Sequence, residues 1–176
     1  MPTSTITPTR IPSRVTNYYL AREHEHEEVP WYRTTDEALL DLPGPVALVN
    51  GAFDILHAGH MKVIFAARKR ARSVVVALDS DARCARKGPG RPIQSFIERA
   101  VTLNYMPVDA IVEIETDEDM RELLTHLNPA VRVQGWDHRG TTSKFPKWKK
   151  CFVRNGPTRT SRIIERIREG YVKGSE

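Results

Sequence analysis

From position 46 onward, short apolar runs of strand length alternate with stretches of helical length, and this alternation narrows the fold more than any other feature of the chain. Val46–Val49, Ser73–Leu78, Ala110–Ile114 and Ala130–Val133 are bounded by turn or polar residues. Runs of that kind read as strands buried on both faces of a parallel sheet. His60–Ala71, Ile93–Asn104, Asp117–Leu127 and Ser161–Glu169 read as helices, the second ending before Pro107 and the third before Pro129. Four strands alternating with helices predict an α/β, Rossmann-like parallel sheet with helices on both faces. Ligands of such sheets bind at the carboxyl ends of the strands, so motifs placed there carry the most weight.

The length of 176 residues fits one core. That core is expected over residues 46–176, preceded by an arm over 1–45. Residues 1–30 are rich in Thr, Pro, Ser, Glu and His without an apolar period, as in a segment that is disordered or ordered only by docking. Within the arm, Glu23–Glu28 alternates acids with histidines, but consecutive side chains diverge, so a solvated polar run is expected rather than a metal site. Thr34–Glu37 opening onto Ala38–Leu40 reads as a short capped helix closed by Pro43-Gly44-Pro45. No apolar run approaches the ~18 residues of a membrane span, and the N-terminus carries no export signal. Cys84 and Cys151 have neither CxxC spacing nor scaffold density, so free thiols and a cytoplasmic setting are expected.

Charge is unevenly placed. The net charge is +5, yet residues 1–45 hold four Arg against seven acids, and Arg139–Arg168 holds ten Lys or Arg against one acid, Glu165. A surface that basic attracts anions, whether nucleic acid or the phosphates of a small nucleotide. Phe145, Trp148 and Phe152 lie among Lys144, Lys147, Lys149 and Lys150, a mixture suited to single-stranded nucleic acid. Because the segment lies between two anion-binding motifs, it is read instead as an active-site flank or a dimer surface, with nucleic acid unlikely as a partner.

The first strand runs into Asn50-Gly51-Ala52-Phe53-Asp54-Ile55-Leu56-His57-Ala58-Gly59-His60 and then a helix. Two histidines three apart at a helix start can present ring nitrogens to one point, while the helix end offers unpaired N–H groups and partial positive charge. Metal-binding helices instead space ligands at i, i+4 with an acid between, as in HExxH, so phosphate chemistry is the expectation. Lys87 and Arg91 bracket Gly88-Pro89-Gly90, a loop able to close over phosphates, and hydroxyls at Thr158, Thr160 and Ser161 open the last helix as a further anion site.

These segments together resemble the cytidylyltransferase-like (HxGH) nucleotidyltransferases. GAFDILHAGH resembles the signature motif, and VVALDSD (75–81), KGPGRP (87–92), Glu98-Arg99, VQGWD (133–137) and RTSRIIERI (159–167) follow in the family's order over Val46–Arg168. Within the family the basic loop is similar to that of the adenylyltransferase domain of bifunctional ADP-heptose synthases, and glycerol-3-phosphate cytidylyltransferases are a more distant likeness. The resemblance implies transfer of a nucleoside monophosphate from a nucleoside triphosphate, carried with Mg²⁺, to a phosphorylated sugar or polyol, releasing pyrophosphate. It implies catalytic roles for His57, His60, Lys87 and Arg162. Nucleotide contacts fall to Gly51, Ala52, Phe53, Gly59, Arg91, Gly135, Asp137, Arg159, Thr160 and Ser161. Acceptor contacts fall to Asp54, Asp81 and Arg99, with an N-cap equally consistent with Asp81 and an ion pair with Arg99. Trp136 reads as a base-stacking or a core indole.

Two departures bear on the nucleotide. Gln134 stands where the Lys-Gly-x-Asp pattern has lysine, and Arg162 matches the cation that cytidylyltransferases place there. The loop favours ATP and these two residues pull toward CTP; ATP is the expectation. A homodimer is usual in the likenesses, and a catalytically silent nucleic-acid-binding module is the rival reading.

Overall fold

The computed structural model describes residues 31–32, 42–140, 144–154 and 156–173. Six strands form one sheet: β1 (Trp31–Tyr32), β2 (Val46–Gly51), β3 (Ser73–Asp79), β4 (Ala110–Ile114), β5 (Val131–Gly135) and β6 (Lys150–Val153). Their order is β1-β4-β3-β2-β5-β6, and every neighbouring pair is parallel. The continuously apolar runs are buried on both faces, as a parallel sheet requires. Along β3, Val74, Val76 and Leu78 enter one core cluster and Val75 and Ala77 the other.

Helices α1 (Ala58–Arg68), α2 (Asp81–Ala85), α3 (Phe96–Asn104), α4 (Asp117–Leu127) and α5 (Thr160–Lys173) follow in chain order. Val63, Ile64 and Ala67 of α1 and Phe96 and Leu103 of α3 close one face of the sheet. Met120, Leu123 and Leu124 of α4 close the other, joined by Phe145 and the half-buried Trp148. The helix expected at Asp117–Leu127 has those bounds, held by a Thr116/Asp119 capping box and by Asn128 in the left-handed conformation at φ 38°.

Other boundaries shift for local reasons. The first helix begins at Ala58 rather than His60, because His57 is its cap. The helix expected from Ile93 begins at Phe96, after a Ser95/Glu98 capping box. Two strands exceed the expected four. β6 lies inside the basic, aromatic segment, where its Cys-Phe-Val core is masked by flanking lysines, and it pairs from Arg132↔Lys150 to Gly135↔Val153. β1 pairs Trp31 and Tyr32 with Ile111 and Val112 of β4. The polar run at 23–28 and the short helix expected at 34–40 lie outside the described residues. Both cysteines are free, and no described helix is long and apolar enough to cross a membrane.

Candidate functional site

The loop leaving β2 is built under strain. Phe53 and Ile55 both have φ 50°, a conformation costly for a β-branched residue and characteristic of loops fixed by function. The buried carboxylate of Asp54 makes the loop stay there. It accepts from the backbone N–H of Ile93 at 3.1 Å and of Gln94 at 3.0 Å, and pairs with Arg91 Nε at 2.9 Å. Gln94 Oε1 in turn accepts from the N–H of Ile55 at 2.7 Å. Asp54 therefore fastens the 91–94 loop to the histidine loop, and its oxygens face chain donors rather than an open site.

Arg99 forms the companion tie. Its fully buried guanidinium donates to the carbonyls of Gln94 at 3.1 Å and Ala52 at 2.6 Å and to Asp81 Oδ1 at 2.7 Å. Asp81 is the first residue of α2, whose cap is Ser80. The structure thus joins Ala52 and the exposed Asp81 through the buried Arg99.

His57 caps α1, its Nδ1 accepting from the N–H of Gly59 at 3.0 Å. That bond leaves the proton of the neutral ring on Nε2. The His57 and His60 rings stack at 3.8 Å with 23° between their planes, and Phe53 tilts against His60 at 5.1 Å. Burial, and next the neighbouring His57, push His60 down to about 4; burial lowers His57 as well. Both are neutral donors at pH 7, and His60 Nδ1 is buried without a partner. Gly59 is required by packing: a Cβ there would sit 2.8 Å from His57 Cε1 and 3.2 Å from the carbonyl oxygen of Thr158.

The Thr158 contact brings the last motif in. Thr160, at the start of α5, is buried and donates its hydroxyl to the carbonyl oxygen of Asp54 at 2.7 Å. Arg159, Ser161 and Arg162 are exposed on the same helix end, with the Arg159 carbonyl accepting from Ile163 N at 3.1 Å. The ends of the 11-residue α1 and the 14-residue α5 are thereby brought together, and each helix N-terminus offers partial positive charge to an anion.

From β3, Asp79 holds Lys87 Nζ at 2.6 Å and Arg83 Nε at 3.0 Å; the Lys87 side chain remains about half exposed. Gly88 and Gly90 turn the loop at φ +138° and +72°. From β5, Gln134 donates to Asn50 Oδ1 at 3.3 Å. Trp136 is 39% exposed, which excludes a core indole, and Arg139 and Arg154 lie 4.3 and 5.3 Å from its ring. Asp137 is close enough to raise the proton affinity of His60. Gln94 and Arg132 are parts of this framework that lie outside the motifs, because their signal is a hydrogen bond of long sequence separation; Asn50 and Asp79 lie within motif segments but are not singled out there.

The sequence profile of the cytidylyltransferase-like family matches residues 48–166. The chain belongs to that family. Its all-parallel, Rossmann-like sheet agrees with that membership. It is 34% identical over 135 residues to the bifunctional protein HldE of Rhodopseudomonas palustris (strain HaA2), covering 71% of this chain and 27% of that one. HldE of Campylobacter curvus is 42% identical over 129 residues, covering 70% and 27%. The chain thus spans about a quarter of the length of these relatives. Among solved structures, the lipopolysaccharide core biosynthesis protein of Thermoplasma volcanium aligns at TM-score 0.52 and 25% identity, over 61% of this chain and 94% of that one. A bifunctional NMN adenylyltransferase/ADP ribose pyrophosphatase of Francisella tularensis shares the fold at TM-score 0.51 and 15% identity, over 69% and 40%.

Proposed function

We propose that the chain transfers a nucleoside monophosphate, AMP in preference, from a nucleoside triphosphate to a phosphorylated sugar or polyol. An oxygen of the acceptor phosphate attacks the α-phosphorus; a phosphorus–oxygen bond forms, the bond to the β-phosphate breaks, and pyrophosphate leaves. The observation that carries this reading is the junction of the α1 and α5 N-termini beside the stacked His57 and His60. Two helix ends and two neutral imidazoles aim donors at one anion, and such a reaction needs positioning and charge stabilisation rather than a nucleophilic side chain. Lys87, held by Asp79, and the exposed Arg159 and Arg162 are the cations this reading assigns to the phosphates.

Mg²⁺ belongs to this reading as the companion of the triphosphate. Among the described residues no group of three His, Cys, Asp or Glu could hold a metal, and the oxygens of Asp54 meet Arg91, Ile93 and Gln94. Magnesium, which keeps several waters and takes few protein ligands, suits phosphate oxygens there; it supplies charge neutralisation on the leaving pyrophosphate.

The choice of ATP is supported by likeness to HldE relatives and by the Lys87–Pro92 loop, whereas Arg162 and Gln134 favour CTP. Titration with ATP and with CTP, each with Mg²⁺, followed by pyrophosphate assays over sugar and polyol phosphates, tests it. Tighter ATP binding and ATP-dependent release are expected. Catalysis with CTP alone would overturn the nucleotide choice, and no release with any acceptor would overturn the transfer itself.

A further inference from the structure

Arg132, the second residue of β5, is a buried arginine, 3% exposed. Among the described residues no carboxylate pairs with it: Nη2 donates to Asn50 Oδ1 at 3.3 Å, Nη1 to the carbonyl of Phe145 at 3.5 Å, and Nε is buried without an acceptor. The Phe145 ring lies 5.4 Å from the guanidinium carbon. Arg99, equally buried, shows the usual arrangement, with Asp81 at 2.7 Å. The residue opposite Arg132 in the ladder is another cation, Lys150. Like charges opposite one another on paired strands repel, and a buried cation without a counter-ion is costly. Folding alone gains little from this arrangement.

The position of Asn50 shows what does gain. Asn50 is the penultimate residue of β2, immediately ahead of the strained loop that carries Asp54, His57 and His60. Two donors from β5 meet on its Oδ1: Arg132 Nη2 and Gln134 Nε2, each at 3.3 Å. We propose that Arg132 is a positioning residue of the phosphate site, fixing Asn50 at the root of the histidine loop and holding a permanent positive charge beneath it. Buried, that charge is screened by salt far less than Lys87 or Arg162 on the surface. An anion arriving at the α1 and α5 N-termini is a counter-charge that none of the described residues supplies. This inference rests on the reading of the site as phosphate-binding.

Because both donors reach one oxygen, a lysine at 134 returns a positive charge to the same place. The test is calorimetric titration of the full chain with inorganic tripolyphosphate, beside thermal melting, for the wild type, Arg132→Met, Arg132→Lys and Arg132→Met/Gln134→Lys. Arg132→Met should weaken tripolyphosphate binding on the order of tenfold, the scale of one charge acting through protein, while its melting temperature stays within about 4 °C of wild type. Replacing an unpaired buried ion by an apolar chain of similar volume need not destabilise. Arg132→Lys and the double variant should both bind within about threefold of wild type, as one charge is present in each. Unchanged binding by Arg132→Met, or a double variant no better than the single one, would overturn the proposal. So would a melting loss in Arg132→Met that Gln134→Lys does not repair, which marks an arginine needed for folding. A chain that follows this binding pattern yet releases no pyrophosphate from any triphosphate would refute the transfer reading and leave the role of Arg132 intact.

Discussion

The hydroxyl of Thr160 donates to the main-chain oxygen of Asp54 at 2.7 Å across 106 positions of sequence. This bond makes one site of two motifs. The donor is buried at the first turn of α5, and the acceptor lies in the strained loop ahead of α1. Thr160→Val keeps the shape and removes the donor, leaving a buried carbonyl unpaired at a cost of about 1–3 kcal/mol. Thermal melting should register that cost, and turnover should fall by more than the nucleotide KM rises, because positioning between the helix ends is what is lost.

Gly59→Ala separates packing from chemistry in a different way. Alanine is the better helix former by about 1 kcal/mol, which offsets part of the clash, so melting should fall by less than turnover does. The new Cβ would press on the His57 ring and the Thr158 carbonyl oxygen. Displacing a reacting group by about 1 Å costs on the order of 10²-fold in rate. A variant with wild-type turnover would show that the His57 ring position does not matter.

The depressed proton affinity of His60 gives a signed pH dependence. The folded state holds the ring neutral to about pH 4, whereas the unfolded chain protonates it near 6.5, so its stabilising contribution is complete above 6.5 and is lost as pH falls toward 4. At 1.36 kcal/mol per unit the loss is about 3 kcal/mol at most. Chemical denaturation between pH 7 and 5, above the carboxylate range, should show the decline in the wild type and a shallower one in His60→Gln. Equal slopes would contradict the burial argument.

Lys87→Ala tests the loop. Asp79 retains Arg83 when Lys87 is removed, and a half-exposed ion pair stabilises by about 1 kcal/mol or less. Melting should therefore hold while kcat/KM for the nucleotide falls, with the deficit shrinking as salt is raised. A deficit independent of salt would point to a structural lysine.

The alternation of apolar runs and helices was legible as a doubly covered parallel sheet because burial on both faces leaves no polar positions in Val74–Leu78. The histidine pair, the cations flanking the glycine loop and the α5 start read as anion-binding elements because their chemistry is local, and the structure ties the first to the last through Thr160 and Asp54. Bonds of long sequence separation were not. Nothing at position 94 announces that Gln94 holds Ile55, and Arg132 reads simply as a charge interrupting an apolar run. β6 was obscured because its edge position permits lysines beside a three-residue apolar core. Asp81 and Arg99 carry local signals for a cap and an ion pair; Ser80 takes the cap, and the ion pair forms between Arg99, which is buried, and Asp81.

The central claim is that the junction of α1 and α5, with His57 and His60 beside it, stabilises charge developing on the α-phosphate of a transferred nucleotidyl group. Pyrophosphate release from ATP and Mg²⁺, dependent on an added sugar or polyol phosphate, measures it when wild type is set beside His57→Ala. Losing its cap contact costs the variant about 1 kcal/mol of stability, so it should remain folded at the assay temperature. The account predicts acceptor-dependent release by the wild type and a rate at least ~10²-fold lower in folded His57→Ala, the scale of removing one transition-state donor. Equal rates in the two proteins would contradict it.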